Sequence, residues 1–184
     1  MANIGFFALS LLMIFIDGWI IASALRQRDR DGNFLAAIMG CSAAVCLFYS
    51  ISICVEDYFV MSLSSSLYFV AMDGVCLSLV AYLFSFTDSW QTKIRFFLMR
   101  AFIVVAVVDS AFLLTNPFCE VALTYAYDPE ALAPWHYVAM MPFQFHLGFC
   151  YVMVCVSFVI LCCEWLQFRR FSAVATFWQW WALW

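Results

Sequence analysis

The stretch FVMSLSSSLYFVAMDGVCLSLVAYLFSF, residues 59–86, decides the class of fold. It contains one charged side chain, Asp73, and is otherwise apolar or weakly polar. A helix that rises about 1.5 Å per residue crosses the roughly 30 Å hydrocarbon core of a bilayer in about 20 residues. The stretch therefore predicts a transmembrane helix that carries an acidic group near its middle.

The rest of the chain has the same character. Of its 184 residues, 67% are hydrophobic and 11% are charged, whereas an average soluble domain has about 25% charged residues. A run over 171–184 reaches only about 21 Å and predicts an incomplete sixth helix. Apolar runs of spanning length cover 4–25, 34–55, 59–86, 96–114 and 137–163. We expect one domain over 1–184, an all-α polytopic transmembrane bundle of five full spans and a partial sixth.

The basic residues predict how these helices are threaded. None of them lies in 56–58 or 116–136. Because basic loops stay cytoplasmic, we expect an external N-terminus and a long outer loop over 116–136. All eight fall in or beside alternate connections: Arg26, Arg28, Arg30, Lys93, Arg95, Arg100, Arg169 and Arg170.

Acidic side chains inside the predicted spans are the first candidate functional residues. Asp17, Asp73 and Asp109 lie there, and each costs roughly 2.5 to 3.5 kcal/mol on insertion scales. Steps of four and seven residues place a polar stripe on one face of each of the first three helices. The residues that we expect to form this buried stripe are Ser10, Asp17, Tyr49, Ser66 and Asp73. Hydrogen bonding between helices is the simpler interpretation of this stripe.

A second group lies toward the outer ends of the predicted helices. No lysine or arginine lies at these depths, so the acids must be protonated, solvated, or paired with His146 or an incoming cation. We expect an outward cavity, roofed by the long loop, that binds a small cationic or aromatic molecule. The group comprises Glu56, Asp57, Asp109, Trp135, His136 and His146.

Several other functions are disfavoured. Asp17 and Asp73 each precede a glycine, but the Gly-x-Gly-Asp motif of intramembrane aspartyl proteases is absent. No phosphate-binding loop or basic stripe for nucleic acid is present, and His136 and His146 are ten residues apart, which argues against a histidine metal site. We expect neither an enzyme nor a bound cofactor or metal.

Most of the nine cysteines lie in apolar runs, where cysteine acts as a small hydrophobic residue. Cys54 and Cys119 are the exceptions, because both fall near the outer side. The sequence leaves open whether these two form a disulfide.

Four short motifs close or open the predicted helices. Glu56 closes the second, YLFSFTD (82–88) closes the third, LLTNP (113–117) closes the fourth and WHY (135–137) opens the fifth. This order resembles the N-terminal seven-helix membrane region of bacterial sensor histidine kinases, which also precedes diguanylate cyclase modules. Phe86 and Asp88 stand where that family usually has tyrosine and glycine. The resemblance implies a sensor of two-component signalling in the bacterial cytoplasmic membrane, here without a seventh helix or an output domain.

Two other functions remain open from the residues themselves. Asp17, Asp73 and Asp109 could form the polar path of a transport or channel subunit. A structural role in membrane assembly, with a membrane partner or a second copy of the chain, is the other. The apolar lower halves of the third and fifth helices favour a sensor, because they would block a continuous path.

Overall fold

A computed structural model describes residues 2–27, 29–87, 92–128 and 135–181. Within those residues the chain forms five helices and one pair of strands. The elements are α1 (Ala2–Gln27), α2 (Arg30–Cys54), α3 (Tyr58–Phe86), α4 (Thr92–Cys119), β1 (Leu123–Tyr127), β2 (Trp135–Ala139) and α5 (Met141–Trp181).

Each of the five helices contains a segment long and apolar enough to cross a membrane. The segments are Phe7–Arg26, Arg30–Cys54, Tyr58–Ser85, Lys93–Cys119 and Met141–Leu166. The prediction of an all-α bundle with five full spans is thereby confirmed. The chain is a multi-pass membrane protein, and the large apolar side chains on the outside of the bundle are the surface that lipid would cover.

Helix α3 is the central helix of the bundle. It packs against α2, α4 and α5, while α1 packs against α2. Gly74 allows the close approach of α2, since a Cβ atom at this position would lie 2.8 Å from the Sγ atom of Cys41. Asp73, the residue before Gly74, is buried in the interior of the bundle.

The long connection after α4 contains regular structure that the sequence analysis did not predict. Strands β1 and β2 pair as an antiparallel hairpin, with Leu123 opposite Ala139 and Tyr127 opposite Trp135. Their β-branched and aromatic residues suit a pleated ribbon. Asn116, fully buried near the end of α4, fastens the hairpin: its side chain accepts from two backbone N–H groups of the following segment and donates to the Leu123 carbonyl.

The hairpin shifts two predicted helix boundaries. Helix α4 continues past Asn116 and Pro117 to Cys119, and Glu120 then turns the chain with a φ of 48°. Helix α5 begins at Met141 rather than at residue 137, because Tyr137 pairs within β2. Pro142 thus lies in the first turn of α5, where a missing N–H needs no partner and no kink results.

The end of the chain also differs from expectation. A separate partial helix over 171–184 was predicted, but α5 continues through the Arg169–Arg170 pair as one helix as far as Trp181. The reason is local: no glycine or proline occurs between 163 and 181, and arginine is a good helix former. Trp184 lies outside the described residues.

Two apolar clusters fill the interior, one toward each end of the bundle. The first packs beneath the hairpin and contains Phe69, Leu113, Ala122, Leu123 and Phe143. The second lies toward the opposite end and contains Val80, Phe84, Ala106, Phe149, Met153 and Ile160. Polar side chains from α3, α4 and α5 meet between them.

Candidate functional site

The polar centre of the bundle is an imidazole placed between two carboxylates. His146 of α5 has its Nδ1 atom 2.6 Å from Oδ2 of Asp109 on α4 and 3.4 Å from Oδ1 of Asp73 on α3. These three side chains are at most 3% exposed. They link three helices through one hydrogen bond, between His146 and Asp109, and one ion-pair contact, between His146 and Asp73. We call these three residues the buried triad.

Cys150 extends the triad by one turn of α5. Its Sγ atom lies 3.6 Å from Oδ1 of Asp73 and 3.8 Å from Nε2 of His146. Cys76 on α3 is a second, half-buried thiol and lies three residues after Asp73. Asp73, His146 and Cys150 each offer one ligand atom, and these three atoms lie within 4.8 Å of one another.

One oxygen of the triad is left without a hydrogen bond. Oδ2 of Asp73 is buried and has no hydrogen-bond partner among the described residues. Arg30 and Arg95 donate instead to backbone carbonyls at the far end of α3, those of Ser85 and Phe84. A buried charge requires a partner of opposite sign. Among the described interior side chains, His146 is therefore the one that can offset the negative charge of these carboxylates.

Two aromatic rings cover the triad on the side of the hairpin. The ring centroids of Phe69 and Phe143 lie 5.3 and 5.4 Å from that of His146. They are also 4.8 Å from each other and both are buried. The rings separate the triad from the outer surface and lower the polarity around it.

An aromatic groove lies on the other side of Phe69, between α2, α3 and the hairpin. Its volume is about 120 Å³, and a second cavity of about 420 Å³ adjoins it. The two share Tyr49, Tyr68, Phe69 and Tyr137 as walls. The aromatic side chains that line the groove are Tyr49, Tyr68, Phe69, Tyr125, Trp135 and Tyr137.

The rings around the groove form a connected network. Tyr68 stacks at an angle on Phe69, with 4.8 Å between centroids, and on Tyr49, with 5.4 Å. Tyr58, beside the groove, lies 5.6 Å from Trp135 and hydrogen-bonds to Glu120 at 2.5 Å. Aromatic side chains from two helices and both strands are thereby linked to one acidic group.

The six residues predicted to line one cavity lie in three different places. Asp109 and His146 meet in the buried triad, where Asp73 of the predicted stripe joins them. Trp135 lines the groove, and its Nε1 donates to the Val55 carbonyl.

The remaining three residues are exposed at the hairpin end of the bundle. Asp57 caps the N-terminus of α3 by accepting from the Val60 N–H, and Glu56 and His136 lie at the surface. Asp57 therefore has a local structural role that its sequence position also explains.

The predicted polar stripe is mostly interior. Ser10, Asp17, Ser66 and Asp73 are buried, while Tyr49 is 41% exposed and lines the groove. Oδ2 of Asp17 and Oγ of Ser66 have no hydrogen-bond partner among the described residues. The stripe thus supplies Asp73 to the triad and Tyr49 to the groove.

Sequence reasoning missed Cys150 and Cys76. The spacing His146-x-x-x-Cys150 puts an imidazole and a thiol on one helix face, a signal that was available. Cys76 lies three residues after Asp73, which offered the same signal on α3. Cys54 and Cys119, considered for a disulfide, are both free and exposed.

Fold and site together define a polytopic helical membrane protein with a buried acid–imidazole–thiol centre. Comparison of the chain with protein-family models, with curated proteins and with solved structures finds no match.

Proposed function

We propose that this chain is the ligand-sensing input module of a bacterial signal-transduction protein, and that it takes up a small cationic or aromatic molecule from the outer side of the membrane. The observation that carries this proposal is the position of Phe69. Its ring is a wall of the aromatic groove and also packs against His146 of the buried triad. A molecule in the groove therefore touches a side chain that contacts the centre of the bundle.

The groove has the chemistry to hold a cation or an aromatic ring. Faces of tyrosine and tryptophan attract cations, by about 0.5 to 2 kcal/mol each according to desolvation. Burial raises the pKa of the Tyr125 phenol above its ordinary value, so this wall of the groove is uncharged at neutral pH. Glu120 adds an acidic group near the mouth through its contact with Tyr58.

The triad provides a route by which occupancy of the groove would alter helix packing. Asp73, Asp109 and His146 tie α3, α4 and α5 together, and the ring of Phe69 rests on the imidazole. A ligand shifts an equilibrium only by its difference in affinity for two conformations. Packed interiors switch between discrete arrangements rather than deform smoothly. A ligand that displaces Phe69 would therefore bind one helix arrangement more tightly than the other.

Transport is the second candidate function, and the apolar cluster below the triad disfavours it. Val80, Phe84, Met153 and Ile160 pack together there and are at most 4% exposed. A channel needs polar or water-filled lining along its length. Below the polar groups of α3 and α5 lies a packed apolar layer, which favours a sensor over a channel or transporter.

The proposed orientation, with the hairpin outside, is supported by the positions of the basic side chains. Arg30 and Arg95 both bond to the C-terminal end of α3, opposite the hairpin. Because basic residues accumulate on the cytoplasmic side, the groove would open outward. In a variant lacking the exposed Cys54 and Cys119, a cysteine introduced by Asp128→Cys should react with an impermeant maleimide on intact cells. Reaction only after permeabilisation would reverse the orientation.

Ligand binding can be tested with the purified chain in detergent micelles. The probes are benzyltrimethylammonium and its uncharged isostere neopentylbenzene, and the readout is tryptophan fluorescence, which includes Trp135 at the groove. We expect saturable binding that Tyr68→Ala weakens about tenfold, since one cation–π contact of about 1.4 kcal/mol corresponds to that factor. The matched control is Tyr151→Ala, because Tyr151 is 69% exposed on α5 and does not line the groove.

A second measurement distinguishes a sensor from a passive binding site. With the probe bound, amide hydrogen exchange along the half of α5 beyond Cys150 should change, and Phe69→Ala should abolish that change. Equal binding by the Tyr68→Ala and Tyr151→Ala variants would refute the groove as the ligand site. Binding that leaves exchange in α5 unaltered would refute the sensing role, and cation flux through proteoliposomes would favour transport.

A further inference from the structure

The polar centre also has the composition of a metal site, a property separate from the groove. Asp73, His146 and Cys150 present one carboxylate oxygen, one imidazole nitrogen and one thiol sulfur. Mixed nitrogen, sulfur and oxygen ligands suit borderline-soft divalent ions of the zinc class. We propose that these three residues bind a zinc-class divalent transition-metal ion inside the bundle, joining α3 to α5.

The distances between ligand atoms support this assignment. Ligands bound at about 2.0 to 2.3 Å in a tetrahedron lie about 3.3 to 3.8 Å apart. Sγ of Cys150 lies 3.6 Å from Oδ1 of Asp73 and 3.8 Å from Nε2 of His146. Two edges of the tetrahedron are therefore already at their bound length. The three ligand atoms lie within 4.8 Å of one another. Oδ1 of Asp73 is 3.4 Å from Nδ1 of the imidazole, so a shift of this carboxylate toward Nε2 completes the set.

Asp109 occupies the position of an orienting carboxylate. Histidine ligands commonly donate their second ring N–H to a carboxylate, which fixes the tautomer and strengthens the nitrogen that faces the metal. Nδ1 of His146 is 2.6 Å from Oδ2 of Asp109. This contact leaves Nε2 directed at Cys150. Asp109 is accordingly a positioning residue rather than a ligand.

The unpartnered oxygen of Asp73 is an independent sign that the site is incomplete without a cation. Oδ2 of this residue is buried and has no hydrogen bond in the described protein. A divalent ion balances the charges of one carboxylate and one thiolate, and the second carboxylate, that of Asp109, keeps its hydrogen bond to the His146 ring. Binding releases to solvent the Cys150 thiol proton and any proton held on Nε2 of His146, because both groups bind a metal in their deprotonated form.

Cobalt is the probe for this site, because thiolate-bound Co²⁺ absorbs in the near ultraviolet and tetrahedral Co²⁺ absorbs in the visible. The full chain, stripped with a chelator in micelles, is titrated with Co²⁺ and then with Zn²⁺. We expect one Co²⁺ per chain with both absorptions, and displacement by an equivalent of Zn²⁺. Cys150→Ser should abolish the thiolate absorption, whereas Asp109→Asn should keep it and weaken affinity about 10- to 100-fold.

The matched control is Cys155→Ser, on the same helix but exposed and outside the ligand group. This variant should bind Co²⁺ like the wild type. Far-ultraviolet circular dichroism of the metal-free variants checks folding, and His146→Gln provides a second ligand deletion should Cys150→Ser fold poorly. A wild-type chain without thiolate absorption would overturn the proposal. So would absorption that survives both ligand deletions, since it would come from the other cysteines.

Discussion

Replacing Asn116 with alanine should release the hairpin from the helical bundle. Oδ1 of Asn116 accepts from the backbone N–H groups of Ala122 and Leu123 at 2.8 Å each, and Nδ2 donates to the Leu123 carbonyl at 3.1 Å. All three residues are at most 1% exposed. Water can replace these hydrogen bonds only if the segment opens.

The size of the effect follows from the three bonds. Each bond contributes about 0.5 to 1.5 kcal/mol, so the free energy required to open the hairpin locally should fall by about 2 to 4 kcal/mol. Since every 1.4 kcal/mol is a factor of ten, opening should become about 30 to 1,000 times more frequent. Amide hydrogen exchange across 120–128, followed by mass spectrometry in micelles, measures this population directly.

Thr115→Ala is the control for this experiment. Thr115 is the exposed neighbour of Asn116 and donates only within its own helix, to the Phe112 carbonyl. Its replacement should change exchange in the hairpin by no more than about twofold, as expected for a surface change of about 0.5 kcal/mol or less. If Asn116→Ala and Thr115→Ala give the same exchange in 120–128, Asn116 does not hold the hairpin and the reasoning fails.

Three further changes test the packing and the basic end of the bundle. Gly32→Ala should destabilise the chain by about 1 to 3 kcal/mol in detergent unfolding, because the new Cβ would lie 2.5 Å from the Ala24 carbonyl oxygen; a stability within 0.5 kcal/mol of wild type would contradict this. Gly74→Ala should lower the stability by about 1 kcal/mol, because the new Cβ atom would clash with Cys41. The double variant with Cys41→Ala should recover much of that stability, and no recovery would show that the clash is elsewhere. Arg95→Gln should lower the unfolding midpoint, since two bonds from a charged donor at 2.9 and 2.7 Å cap the end of α3, and an unchanged midpoint would count against that role.

The sequence alone predicts the transmembrane character of the chain, because this depends on the length and hydrophobicity of each segment by itself. The length of an apolar run against the thickness of a bilayer predicts a span, and residues 59–86 satisfy that test without reference to other helices. The cost of inserting a carboxylate also singled out Asp73 and Asp109 before their partners were known.

What the sequence missed depends on contacts between distant segments. The hairpin needs the buried side chain of Asn116 and the pairing of Tyr127 with Trp135, two residues that lie eight positions apart, and neither contact is a property of one helical or extended segment. Short alternating strands also give a weaker signal than a long apolar helix. Tyr137 was therefore predicted to begin a helix that starts only at Met141.

The same reasoning explains the candidate site. Sequence alone determined that acidic groups lie inside the spans and that aromatic residues gather near 135–137. Only the tertiary structure brought Asp73, Asp109 and His146 together from three helices and moved Glu56 and His136 to the surface. The physical reason is that helical spacing relates residues along one helix, whereas the rotation and depth of neighbouring helices follow from how their side chains pack.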